Sequence, residues 1–501
     1  MANIKRLVYW AGAFLPCALL LVLCFHQSLW FDEAFTVGLV SKSFPELLSI
    51  AAADVHPPLY YLLLKAFLSL FDGSLTAARL FSWLPYLLLS CLGAFGLRRH
   101  FGGGVALLFN LCLCLLPMTA RYAGQLRMYS WAMLFVTLTG YFAWRYRHSS
   151  PASRQGRLFL LGYLLCGLLA AYTHYFALIA VGCTALVLAI RCLKPRHERA
   201  GHLKNWLLAT LLQLLGYLPG FYWVFLQSQK VIQGYWIQVK YPDILAQTVS
   251  SVLADRLHPL FLGLSFPAVL AILCLSAKSR KRPQGSLAAA AVWVPLLVLT
   301  AGLLISVWRP VFYPRYLYAA MGPLCFSLAL SLRDLFSQGG KRRLAAGAAL
   351  FCLTVCGAAN LAKSAQCAMD PQNQLPAQVL SQQLRDEDCI LYPTINAAGI
   401  LWGNFPNTPL YFDARGQLSF QEAYRAFSPQ LSCITGIGEM GETRGRIWIV
   451  TTTAQPDFSG YEAQGLTQDG PAREFWVPYS SETIRMAPFR IGTDSLGNRE
   501  N

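Results

Sequence analysis

Residues 287–307 read LAAAAVWVPLLVLTAGLLISV, 21 positions with one proline and no charge. A run of this length and apolarity matches the roughly 30 Å hydrocarbon core of a bilayer. Backbone groups there must satisfy one another, so the stretch predicts a membrane-crossing helix. Residues 206–226, WLLATLLQLLGYLPGFYWVFL, read the same way. Working outward, nine further blocks fall at about 7–25, 80–97, 104–117, 128–144, 158–172, 175–190, 257–277, 316–332 and 344–362. The third of the eleven, 104–117, is short. The whole chain is 55% hydrophobic and only 13% charged, which excludes an ordinary soluble globule.

The formal charge of +17 would suggest nucleic acid if it were concentrated on a polar domain. It is instead distributed in membrane fashion. Lys5 and Arg6 ahead of the first block, with Arg98 and Arg99 and the clusters at 145–157, 191–204, 278–282 and 333–343 after every second block, hold 21 of the 41 Lys and Arg, whereas the alternate loops hold 10. The positive-inside rule then puts the N-terminus in the cytoplasm, the odd-to-even loops outside and, after eleven crossings, the C-terminus outside. Nucleic acid is not an expected partner. The first block continues into His26-Gln27-Ser28-Leu29-Trp30 without a small-residue cleavage site, so it reads as a retained helix ending at an interfacial Trp.

From about residue 363 the chain becomes polar, with 10 Lys and Arg against 15 Asp and Glu. Short β-type runs at 389–392, 409–412 and 447–453 and a helical stretch near 375–385 predict a small α/β domain. The expected organisation is therefore a mainly α, polytopic transmembrane bundle over 1–362, including a long first outer loop at 26–79, followed by a C-terminal extracytoplasmic domain over 363–501. Within that loop, the apolar run 59–71 is too short to cross and reads as interfacial. Lys230, Tyr235, Trp236, Lys240 and Tyr241 give the 227–256 loop a headgroup-level character. Most of the fifteen cysteines lie in apolar blocks, none with zinc-ligand spacing in a polar loop. Cys389 and Cys433, both in the tail, are the one pair for which a disulfide is considered.

Only nine of the 24 acidic residues precede the tail, and Asp32, Glu33, Glu46, Asp54 and Asp72 crowd into the first outer loop. Carboxylates beside a bilayer are costly unless solvated or paired, which singles out Asp32-Glu33 after the Trp-Phe helix exit. The second feature is Asp54-Val55-His56-Pro57-Pro58-Leu59-Tyr60-Tyr61, where two prolines hold His56 on a stiff turn. An acidic pair after the first helix followed by Asp-Val-His-Pro-Pro-Leu resembles the protein O-mannosyltransferases and the wider dolichyl-phosphate-mannose-dependent group. That group includes the bacterial aminoarabinose transferases and forms part of the GT-C superfamily (glycosyltransferase family 39-like). Arg121-Tyr122-Ala123-Gly124-Gln125-Leu126-Arg127-Met128-Tyr129-Ser130 and Phe312-Tyr313-Pro314-Arg315-Tyr316 are similar to two further motifs of the group. The resemblance covers about residues 1–330. Gln125 departs from it, because bacterial relatives often have Glu there.

The resemblance implies an inverting glycosyltransferase of the cell envelope, in a bacterial inner membrane, that uses a polyprenyl-phosphate-linked sugar donor and a lipid, glycan or protein acceptor. Such a donor already carries a good leaving group. The protein must then deprotonate the acceptor, position it and stabilise the departing phosphate. Asp32 is the expected base, with Glu33 assisting. Arg127 and Arg315 are the expected phosphate ligands, since a guanidinium can hold two phosphate oxygens at once. His56, His174, Gln125, Tyr129 and Tyr316 are expected to contact phosphate or sugar. No cofactor or metal is assigned, although Asp32, Glu33 and His56 could collect a divalent ion. The competing reading is a multi-spanning transporter or flippase of lipid-linked saccharides. The acids cluster in outer loops rather than at the midplane and no repeated half is visible, both of which disfavour transport.

Overall fold

The computed structural model describes residues 2–71, 73–193, 199–233, 237, 239–277, 283–415, 421–428, 431–440, 445–452 and 458–491. Asp72, Tyr235, Trp236 and the basic cluster 278–282 lie outside the described residues. The chain divides into two compact units, Met1–Phe25 with His56–Ser364 and His26–Val55 with Ala365–Asn501. The long first outer loop is thus split at Val55/His56. Its first half is part of the same unit as the tail, and only its second half stays with the membrane helices.

Each of the eleven apolar blocks of the first unit is helical. Among the described residues eight helices are long and apolar enough to span a membrane, ten if two bent pairs each count as one span. The protein is a multi-pass integral membrane protein. The decisive run at 287–307 lies within one helix, Pro283–Trp308. By contrast 206–226 is broken, with Ala200–Gly216 and Leu218–Gln229 meeting at 50°. The break falls beside Gly216 and Pro219, residues that weaken or remove helical hydrogen bonds. The short third block bends by 64° between Gly103–Leu115 and Pro117–Gly124. Leu116 there is extended (ψ 131°) ahead of Pro117. The helix of the fourth block, Tyr129–Arg147, is not among these spans; it has Thr137 and Thr139 and ends on Arg145 and Arg147. It falls short of a lipid-facing composition because it is buried among its neighbours. The interfacial run forms a short helix, Leu59–Leu68, that starts directly after Pro57-Pro58.

In the second unit, β1 (Cys389–Tyr392), β2 (Leu410–Asp413), β3 (Leu431–Ile434), β4 (Ile447–Thr452), β5 (Leu466–Gln468), β6 (Arg473–Val477) and β7 (Glu482–Ile491) form one sheet. Its order is β3-β2-β1-β4-β7-β5, with β6 also on β7. β1 to β4 pair in parallel, and β7 runs antiparallel to β4, β5 and β6. Ile447–Thr452 is buried at every position, as a strand covered on both faces should be. The helix Leu375–Gln383 precedes the sheet. Cys389 and Cys433 are both free thiols. They sit on β1 and β3, with β2 between them. Two strand spacings, about 9–10 Å, exceed the reach of a disulfide. Burial pushes the Cys389 thiol up to about 12.

Candidate functional site

In the membrane unit the site begins with the two prolines. Because Pro57-Pro58 delays the next helix until Leu59, His56 is left in a turn. Gln227 Nε2 donates to the His56 carbonyl oxygen at 3.1 Å, and Tyr175 donates its hydroxyl to Gln227. The ring of His56 faces Arg127, whose Nη2 lies 3.3 Å from Nε2 and 3.4 Å from Nδ1. Arg127 Nη1 also donates to the Tyr61 hydroxyl at 3.3 Å.

Arg127 reaches this position because the chain between Leu115 and Tyr129 is not a continuous helix. After Pro117 it runs through the turn Pro117–Arg121 and a 3-10 turn, Tyr122–Gly124, into extended Gln125. Gly124 is required here, since a Cβ would lie 2.3 Å from the Leu23 carbonyl oxygen. The Gly124 carbonyl is held by Nη1 of the fully buried Arg79 at 2.8 Å, and Pro117 by Asn360 Nδ2 at 2.9 Å.

His174 occupies the one-residue turn between the spans Arg154–Thr173 and Tyr175–Leu193. Its ring centroid lies 5.8 Å from that of His56, 5.7 Å from Tyr129 and 5.2 Å from Tyr316. The Phe176 N–H donates to Nδ1 at 3.0 Å. Nδ1 is therefore the acceptor, so the neutral ring carries its proton on Nε2. That Nε2 is buried and without a partner. Burial, and then the charges of His56, Arg127 and Arg315, hold the His174 pKa well below its usual value. Arg315 enters on the 3-10 segment Pro314–Ala320, its guanidinium 5.0 Å from the Tyr313 ring centroid.

Exposures of 2%, 3% and 8% for Arg127, His174 and His56 rule out solvated surface charges: these side chains are enclosed by the protein. Gln125 is also buried, with Oε1 lacking a partner. Tyr129 and Tyr316 are buried beside His174. Six expected residues, His56, Arg127, His174, Tyr129, Arg315 and Tyr316, are thus gathered from separate segments. Tyr61 and Gln227 were not singled out from the sequence. Tyr61 stood within the His-Pro-Pro motif, whereas nothing in the composition of the 227–256 loop marked Gln227.

Asp32 and Glu33 belong to the second unit, in the first turn of the helix Phe31–Ser41. The unpaired amides of a helix N-terminus favour negative charge there. Glu33 is fully buried and accepts the Tyr479 hydroxyl at 2.9 Å. Tyr479 is fixed in turn by its N–H, which donates to Asn373 at 2.9 Å, and by the His26 ring at 4.7 Å. Asp32 is slightly less covered, at 8% exposed. Among the described residues no three His, Cys, Asp or Glu side chains come together as metal ligands.

Among solved structures, the chain is similar to ArnT from Cupriavidus metallidurans in the apo state, with a TM-score of 0.60 at 13% identity over 97% of this chain and 98% of that one. The two chains share one fold over nearly their whole lengths. A second structure of ArnT from the same organism, bound to undecaprenyl phosphate, matches with a TM-score of 0.58 at 13% identity over the same shares. No family profile matches the sequence, nor does any curated protein. At such identity the likeness speaks for a shared fold and not for individual residues.

Proposed function

We propose that the protein is a glycosyltransferase that moves a sugar from a polyprenyl-phosphate donor to a lipid, glycan or protein acceptor on the extracytoplasmic face of a bacterial inner membrane. The observation that supports this most directly is the buried cluster of Arg127, His56 and His174 with Arg315 nearby. It offers two guanidiniums and a neutral Nε2–H donor, the set a phosphate leaving group needs. By the positive-inside rule these residues lie at the outer membrane surface. The fold shared with ArnT is consistent with the same reading.

In this reading Asp32 takes the proton of the acceptor hydroxyl or amine. The acceptor atom forms its bond to the anomeric carbon as the carbon–oxygen bond to phosphate breaks, and the phosphate leaves with the electron pair. In-line attack inverts the anomeric centre. Arg127, Arg315 and the His174 Nε2–H stabilise the charge that develops on phosphate, while Glu33, pinned by Tyr479, positions the turn that carries Asp32.

The test is release of free polyprenyl phosphate from sugar-loaded carriers by the purified protein in liposomes. Release coupled to a new glycosidic bond supports the reading. Translocation of the intact carrier without bond formation would move the protein to the flippase class. Mass analysis of lipid-linked sugars that accumulate in cells lacking the protein names the sugar.

A further inference from the structure

Two helices of the membrane unit run from the His174 cluster to a different place. Tyr129–Arg147 begins with Tyr129 against His174 and ends on Arg147. Tyr175–Leu193 begins beside His174 and contains Arg191 near its end. At 1.5 Å per residue these runs carry Arg147 and Arg191 about 25 Å from the cluster. The two arginines meet there, Nη2 and Nε of Arg147 donating to the Arg191 carbonyl at 3.1 and 3.3 Å. Arg191 Nη1 donates to the Ser286 carbonyl at 3.2 Å.

A cavity of about 110 Å³ opens between these helices, with Leu97, Phe109, Gly140, Trp144, Arg147 and Arg191 in its lining. One water needs about 10–15 Å³ by this measure, so the space admits on the order of eight to ten water-sized groups. Apart from the basic groups at one end, the described lining is almost wholly aliphatic and aromatic and contains no carboxylate. Gly140 leaves the space open, as a Cβ there would meet nothing within 4 Å. A π-helical turn, Leu92–Leu97, contributes to the wall, a helix irregularity that often accompanies function.

We infer that this cavity is a second lipid site, at the opposite end of the bundle from the phosphate cluster. It takes one acyl or isoprenoid chain among Phe109, Gly140 and Trp144 and the lipid's phosphate at Arg191 and Arg147. An apolar void is a poor container for water, and in a bilayer the available apolar filler is a lipid chain. Guanidinium forks in its lining select an anionic phosphate headgroup over a zwitterionic one. The arginines belong to the clusters that the positive-inside rule assigns to the cytoplasmic side, so the lipid enters from that leaflet. The inference stands apart from the transfer reaction and needs none of its residues.

The test uses the full chain in nanodiscs of equimolar phosphatidylcholine and phosphatidylglycerol, with and without added undecaprenyl phosphate, and counts the lipids retained on the protein by native mass spectrometry. A phosphate lipid with a free anionic headgroup should be retained over phosphatidylcholine. About tenfold less should be retained by Arg191→Gln, which removes the charge-assisted bonds to phosphate, and by Gly140→Leu, which fills the chamber. Gly182→Leu, an equally open glycine on an exposed face, should retain the wild-type amount. Displacement of phosphatidylglycerol by undecaprenyl phosphate would name the carrier as the source of the lipid, and its persistence would name the bulk leaflet. Equal retention by Arg191→Gln, Gly140→Leu and the wild type, or no preference of the wild type for anionic phosphate lipids over phosphatidylcholine, overturns the site. Size-exclusion profiles of each variant separate loss of lipid from loss of fold.

Discussion

The backbone N–H of Phe176 donates to Nδ1 of His174 at 3.0 Å, and this one bond decides what the ring can offer. With Nδ1 occupied as an acceptor, only Nε2–H remains to meet an anion. Burial first, then the charges of His56, Arg127 and Arg315, keep the ring neutral by lowering its pKa. An unfolded histidine titrates near about 6.5. Below that pH the unfolded chain takes up a proton that the folded ring resists, so folding stability falls as the pH drops below about 6.5. His174→Gln should flatten this slope in thermal unfolding midpoints measured between neutral and acidic pH. A slope identical to that of the wild type would show that the ring is not held neutral.

Arg127 is the cation most deeply enclosed in the cluster. Arg127→Gln should lower transfer by about 100-fold, the usual effect of removing one donor to developing charge. Tyr61→Phe removes the 3.3 Å bond from Arg127 Nη1, typically about 1 kcal/mol, and should lower transfer less than tenfold. Initial rates of polyprenyl phosphate release check both; a larger loss for Tyr61→Phe than for Arg127→Gln would contradict the assigned roles.

The acidic pair should separate in function. Asp32→Asn removes the proposed base, and loss of general-base catalysis is commonly worth about 100- to 10,000-fold. Tyr479→Phe removes a hydrogen bond to the buried Glu33 carboxylate, about 1.5–3 kcal/mol for a charged acceptor, and should show first as a lower unfolding temperature. Comparable transfer by folded Asp32→Asn and wild type would end the assignment of the base.

In the sheet unit, burial pushes the Asp388 carboxyl up, but bonds from the Arg446 side chain and N–H, the Arg385 N–H and the Trp448 indole outweigh it and hold the group below the usual range. Arg446 Nη2 lies 2.8 Å from Oδ2. A carboxyl with a depressed folded pKa contributes stability above its unfolded value, near about 3.9, and that contribution is lost as the pH falls through the folded value. Asp388→Asn should cost about 3 kcal/mol at neutral pH, as when one partner of a buried pair is removed. It should also weaken the acid-induced loss of stability below about pH 4, measurable by thermal unfolding across that range.

Residues 365–501 without 26–55 should not fold cooperatively. Phe31 and Phe35 pack on Phe427, with ring centroids 5.2 and 6.0 Å apart, and Gly399 is small because a Cβ would lie 2.7 Å from the Phe31 Cα. Amide exchange on the isolated tail, with and without a 26–55 peptide, should show protection only when both are present.

Much of this protein was legible in the sequence. The helices follow from apolar runs that lipid leaves no alternative to burying in helical form. Three of the seven strands followed from β-rich segments: β1 at its expected bounds, and β2 and β4 within one residue of theirs. The other four were less visible. β5 and β6 are short and largely exposed, and β7 places Pro488 opposite Trp448 within its ladder, a residue that argues against strand when read alone. His56, Arg127, His174 and Arg315 were nameable because charged or polar groups at apolar helix ends are conspicuous.

The sequence by itself determined that the chain crosses a membrane many times and which polar residues stand where its helices break. Lipid enforces the first, and proline and glycine backbone limits enforce the second. Only the tertiary structure decided which of those residues meet, because Arg127, His56 and His174 are brought together by packing between segments far apart in the chain. It also decided that Asp32 and Glu33 belong to a unit with the tail: the Tyr479 bond to Glu33 spans 446 positions, and no local pattern encodes such a pairing. The tautomer of His174 was settled by a single backbone amide two residues away, a matter of angle and distance that composition does not record.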